Sequence, residues 1–130
     1  MKIEDLDKYL TLRDSVLFNS IDFSFLAALA GLFNKKKCRP GSMIFDPSTD
    51  RTSLYVISEG EITDNSGTVF SSVVGLRDLY DLHFQNKNTN RPLHAGNNGC
   101  VIYSADGRNF LDVIQDLPIL ALHLISLEER

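Results

Sequence analysis

The stretch SLYVISEGEI, Ser53 to Ile62, limits the possible fold more than any other part of the chain. Its apolar part, Leu54-Tyr55-Val56-Ile57, is β-branched and aromatic and breaks at Gly60, after which apolar character resumes at Ile62. A segment this short does not make a helix, and its composition suits a pleated surface. Similar segments surround it: SMIF (42–45), EIT (61–63), TVFSSVV (68–74) and CVIYS (100–104), with Arg39-Pro40-Gly41 as a turn signal ahead of them. Asn65-Ser66-Gly67 fits a tight hairpin loop, because asparagine and glycine accept positive φ. Several short strands in succession predict a sandwich, roll or barrel.

Both flanks have helical periodicity. Over Glu4 to Leu17, the residues Leu6, Tyr9, Leu10, Leu12, Val16 and Leu17 recur at broadly helical spacing. A second helix follows, with Ser20 or Asp22 available as its cap and Phe23, Leu26, Leu29, Leu32 and Phe33 on its apolar side. The lysines of Asn34-Lys35-Lys36-Lys37 suit a helix C-terminus or a solvated strand face. After the strands, Asp106 can cap a helix with Phe110, Leu111, Val113 and Ile114 on one side; Pro118 interrupts, and ILALHLISLEER reads as a last helix. The expected organisation is one domain, 1–130, of α+β, mainly β class. It has helices over 4–34, an antiparallel β-roll or jelly roll over 35–104, and C-terminal helices over 106–129. Residues 82–98 read as a long polar connection, functional or mobile.

Composition narrows the function. A net charge of -4 argues against a surface built to grip nucleic acid. No apolar run approaches the roughly 20 residues that span a bilayer. The acidic, amphipathic start MKIEDLDKYL is not a signal peptide, so the chain reads as cytoplasmic. Cys38 and Cys100 lack a CxxC or CxxH context, and free, reduced, partly buried thiols are expected. A redox pair follows only if the fold brings the two together.

In order and spacing, VLFNSIDFSFLAALAGLF, RPGSMIF, SLYVISEGEI and SADGRNFLDVIQDLPILALHLISLEER resemble the successive blocks of the cyclic-nucleotide-binding domain family. These are the effector modules of catabolite-activator-type regulators, cyclic-nucleotide-dependent kinases and gated channels. The blocks correspond to an entry helix and Leu-rich helix, a Pro-Gly turn into a strand, a strand ending in glycine, and a last strand running into a short helix with an inward phenylalanine. The resemblance implies a β-roll that receives a cyclic nucleotide through a phosphate cassette. In that cassette, amides at a short helix take the phosphate, a glutamate takes the ribose hydroxyl, and an arginine pairs with the phosphate.

The cassette pattern is roughly G-D-x-F-G-E followed by R-[ST]-A, and it meets GLRDLYDLHFQNKNTNRPLHA here. Asp78 and Tyr80 fall on the aspartate and aromatic positions. Asp81 and Leu82 stand where Gly-Glu is expected; leucine accepts no hydrogen bond, and Asp81 could replace the glutamate only one position early. Arg91 falls at the phosphate arginine, followed by Pro92 and Leu93 in place of Ser/Thr-Ala, and it fits equally an ordinary arginine beside a loop. QNKNTN is an insertion before it. The expected ligand set is therefore Asp78, Tyr80, Asp81 and Arg91 in a degenerate pocket that has lost ordinary cAMP or cGMP binding.

Other chemistries find less support in the sequence. His83, His94 and His123 have no metal-ligand spacing, and no GxSxG or Cys-His signature is present, so no metal, cofactor or catalytic residue is expected. The last helix is apolar on more than one face, with Leu120, Leu124 and Leu127 exposed to a protein partner or a second copy. The expected function is a non-catalytic regulatory or interaction domain. The alternatives are a working sensor of a cyclic nucleotide or other anion through Arg91 and loop amides, and a cupin-type enzyme.

Overall fold

A computed structural model describes residues 3–15, 17–19 and 21–115. Along the chain lie α1 (Ile3–Asp14), α2 (Phe23–Ala30), β1 (Asn34–Cys38), β2 (Met43–Phe45), β3 (Ser53–Asp64), β4 (Val69–Phe70), β5 (Val73–Val74), α3 (Leu76–Phe84), β6 (Leu93–Asp106) and α4 (Gly107–Ile114). The described strands form one antiparallel sheet in the order β1-β6-β3-β4, with β2 also on β6 and β5 also on β3. This is the mainly-β roll between helices that the sequence predicts.

Two long strands organise the sheet. SLYVIS and EIT, separate in the sequence reading, join in β3, and β6 runs unbroken through Gly96-Asn97-Asn98-Gly99. The connection expected over 82–98 thus shrinks to the residues between α3 and β6. Its glycines and asparagines read as a loop, but the 39–42 turn closes over the start of the stretch: the Gly41 N–H donates to the Ala95 and Gly96 carbonyls at 3.1 and 3.3 Å, and the Ala95 N–H donates to the Ser42 carbonyl at 2.8 Å. The β3–β6 register shifts between Ile57 and Glu59 and again between Gly60 and Ile62, and such irregularities bend a ladder. Gly60 is needed there. Its φ is +80°, and a Cβ would lie 2.2 Å from the Gly99 carbonyl oxygen.

The apolar run of β3 is buried on both faces. Leu54 and Val56, with Tyr103 and Ala105 of β6, pack under the helices against Leu12, Phe18, Leu26, Leu29, Phe33 and Phe110. Tyr55 and Ile57, with Cys100 and Ile102, face the interior of the roll beside Ile44, Phe45 and Leu93. The period-2 alternation of a strand therefore serves two cores at once. Phe18, Phe33 and Phe110 lock the helical side with ring centroids 6.0 to 6.4 Å apart.

The helices end where local bonds dictate. α1 stops at Asp14, short of the expected Leu17, where the Ser15 hydroxyl donates back to the Leu12 carbonyl at 2.7 Å. Leu6 and Leu10 are exposed, while Leu12 and Leu17 are buried. The Tyr103 hydroxyl donates to the Asp7 carboxylate, tying α1 to the sheet. Burial first, and the Asp7 carboxylate second, push the Tyr103 phenol well above its ordinary range. Asp22 occupies the α2 N-cap position without a side-chain cap bond. Asp106 caps α4 as expected, its Oδ1 accepting from the Arg108 and Asn109 amides. The expected last helix, with Leu120, Leu124 and Leu127, lies outside the described residues.

Candidate functional site

α3 starts at Gly75, whose φ of +101° places the backbone against β3; a Cβ would meet the Ser53 carbonyl oxygen at 2.2 Å. From there the helix buries Asp78, Leu79 and Asp81. The loop after it folds back, with the Gln85 and Lys87 amides both donating to the Asp81 carbonyl at 3.0 Å. That return carries Thr89 and Arg91 over the buried carboxylates. The Thr89 hydroxyl lies 2.8 Å from Asp78 Oδ1 and 3.1 Å from Asp81 Oδ2. Arg77, one turn before Asp81, reaches the same carboxylate at 3.2 Å.

Arg91 is held by acids of this chain. Its Nε donates to Asp64 Oδ2 at 2.8 Å, its Nη1 lies 3.6 Å from Asp78 Oδ1, and its guanidinium sits over the Phe70 ring, 5.5 Å from the centroid. The Arg91 side chain keeps 34% of its surface exposed, whereas those of Asp64 and Asp78 keep 4% and 9%. Asp64 also organises the β3–β4 hairpin: its Oδ1 accepts from the Ser66 amide and hydroxyl and from the Thr68 amide. Burial pushes the Asp64 carboxyl up. The Ser66 hydroxyl, the Thr68 and Ser66 amides and the Arg91 guanidinium outweigh it and hold the group below its ordinary 3.8.

Of the four residues singled out in the sequence, Asp78, Asp81 and Arg91 come together: Thr89 bridges the two aspartates, and Arg91 faces Asp78 directly. Tyr80 points elsewhere: its ring packs on the exposed Phe84, centroids 5.2 Å apart. Leu82 is also exposed, in an open cleft of about 370 Å³ with Arg51, Thr52, His83 and Arg108. Asp64 and Thr89 were missed. The available signal for Asp64 was an aspartate directly before Asn65-Ser66-Gly67, the residue type that bonds amides two and four positions on in a turn. Among the described residues, no group of three His, Cys, Asp or Glu side chains converges as metal ligands, and no helix is long and apolar enough to cross a membrane.

The described architecture, a bent antiparallel roll with helices on one face, shares its fold with solved structures of cyclic-nucleotide-binding proteins. No sequence model of a known family matches the chain and no curated protein matches it; the likeness is carried by solved structures. A putative cyclic-nucleotide-binding protein from Geobacter metallireducens superposes with a TM-score of 0.71 at 18% identity, over 88% of this chain and 87% of that one. The sensor domain of the transcriptional regulator DNR from Pseudomonas aeruginosa gives 0.67 at 15% identity, over 91% and 88%. The cAMP-bound PfPKA-R gives 0.63 at 24% identity over 90% of this chain, which spans only 44% of that structure. At these identities the likeness establishes the fold.

Proposed function

We propose that this chain is a non-catalytic regulatory or interaction domain on the cyclic-nucleotide-binding fold, in which ordinary cAMP or cGMP binding is lost because the phosphate position is filled from within. One observation carries the reading: Arg91 Nε is bonded to Asp64 at 2.8 Å while Nη1 faces Asp78. An incoming cyclic phosphate would have to displace a buried carboxylate that already has its own amide and hydroxyl donors. It would then lie against Asp64 and Asp78, and like charges so placed cost several kcal/mol. Leu82, standing where the ribose acceptor is expected, offers no compensating bond.

The rival sensor reading draws on the cAMP-bound neighbour and on the part of Arg91 that solvent still reaches. Thermal unfolding separates the two. Millimolar cAMP, cGMP or a cyclic dinucleotide is expected to leave the midpoint of the wild-type chain unchanged. A ligand at a hundred times its dissociation constant would add about 2.7 kcal/mol, or several degrees for a domain this size. A shift in the wild type that Arg91→Ala abolishes overturns the proposal. A shift that arises only in Asp64→Asn supports it directly, since that variant removes the internal competitor and keeps the arginine. The work of the domain is then contact with a protein partner or second copy, with Leu120, Leu124 and Leu127 as the proposed surface. A monomeric elution volume at high concentration, unchanged by Leu124→Glu, counts against a homodimer through that helix.

A further inference from the structure

Cys38 and Cys100 are far apart in the sequence, but the fold places them directly opposite each other as the last Cα pair of the β1–β6 ladder. Both are free and buried. Directly opposed residues of an antiparallel pair send their side chains to the same face with Cα atoms about 4.5 or 5.5 Å apart, and both spacings fall in the roughly 4.4–6.8 Å range that a disulfide bridges. The shared face here is the apolar interior of the roll, where the two sulfurs pack beside Ile44, Ile57 and Ile102. A disulfide between them therefore fits the closed ladder without a change of register.

We propose that Cys38 and Cys100 are an oxidative modification site, a latent cross-strand disulfide that closes when the β1 edge frays and fixes β1 to β6. The position of β1 supplies the access. It is an edge strand of the sheet, and Cys38 is its last residue before the Arg39-Pro40-Gly41 turn. In the closed ladder, burial first and the neighbouring Cys38 second push the Cys100 thiol up to about 12, so the resting Cys100 is protonated and unreactive. Opening of the strand end exposes the thiols to an oxidised low-molecular-weight thiol such as glutathione disulfide.

The exchange balances in two steps. A protein thiolate attacks one sulfur of glutathione disulfide, forming a mixed disulfide and releasing one glutathione thiolate. The second cysteine then attacks the protein sulfur of that mixed disulfide and expels the second glutathione. Two protons pass from the cysteines to the departing thiolates, and the two electrons given up by the protein reduce glutathione disulfide to two glutathiones. The product pins the strand whose Lys35 lies 3.9 Å from Asp7 of α1, so oxidation stiffens the junction between sheet and helices.

The test uses the full wild-type chain, reduced and then held at graded ratios of glutathione disulfide to glutathione. Peptide mapping without reductant and thiol counting in denaturant give the readout. Both thiols are expected to vanish together into one intramolecular Cys38–Cys100 link, with a thermal midpoint raised by several degrees and restored by dithiothreitol. Cys38→Ser should leave Cys100 as a stable glutathione adduct and show no such rise. Two independent adducts on the wild type, or links only between chains, overturn the proposal. So does survival of both thiols at the most oxidising ratio under conditions where hydrogen exchange shows the β1 amides opening.

Discussion

The interface between helices and sheet and the region from α3 to Arg91 are built on opposite terms. In the first, Phe18, Phe33 and Phe110 interlock over Leu54, Val56 and Tyr103, and each of these side chains is at most 1% exposed. In the second, Asp64, Asp78 and Asp81 are buried carboxylates whose partners are Arg91, Arg77, Thr89 and the hairpin amides. The apolar region tolerates any residues that fill the space, so a scaffold persists at low identity. The polar region works only if each group has its own partner, so replacing one residue type redirects the whole network. Packing thus carries the first region, and one-to-one pairing carries the second.

The largest expected effect tests the apolar side. Phe110→Ala should cost about 3–5 kcal/mol, read as a lowered midpoint in denaturant. A loss below about 1 kcal/mol would mean that α4 contributes little to holding the sheet, and the contrast would fail. Gly60→Ala comes next, because it forces a Cβ toward the Gly99 carbonyl at a positive φ; strain of that kind costs about 1–3 kcal/mol. A neutral result would show that β3 and β6 can separate at their irregular crossing. Asp106→Ala should cost about 1 kcal/mol by removing the α4 cap, with no effect on any Arg91 contact.

The smallest effect sharpens the polar side. The folded-state value of Asp64 is depressed, so its contribution to stability is complete above the unfolded value near 3.8 and is lost as pH falls through the lower folded value. Urea midpoints followed downward from pH 5 should decline more steeply in the wild type than in Asp64→Asn. Parallel curves would remove Asp64 as the anchor of Arg91.

Much of the scaffold was legible from the residues. The four-residue apolar run of β3, the turn at Asn65-Ser66-Gly67, the Asp106 cap and the inward Phe110 all act locally, and local chemistry is written in order along the chain. The candidate site was legible only in part. Asp78, Asp81 and Arg91 could be singled out by spacing, but Asp64 joins them from the β3–β4 hairpin and Thr89 from the loop, and Tyr80 turns away. The glycine- and asparagine-rich 96–99 stretch misled for a related reason: it lies inside β6 where the β3–β6 register shifts, beside the 39–42 turn, and no local pattern announces that placement.

The sequence by itself determined the order of helices and short strands, the apolar faces and the absence of the usual Gly-Glu and Ser/Thr-Ala steps around the arginine. These follow from side-chain type and from periods of 2 and 3.6 residues. Only the tertiary structure decided that Arg91 meets Asp64 and that Cys38 faces Cys100. Both pairings join residues distant in the chain, and their geometry is set by strand register, which depends on the whole ladder at once.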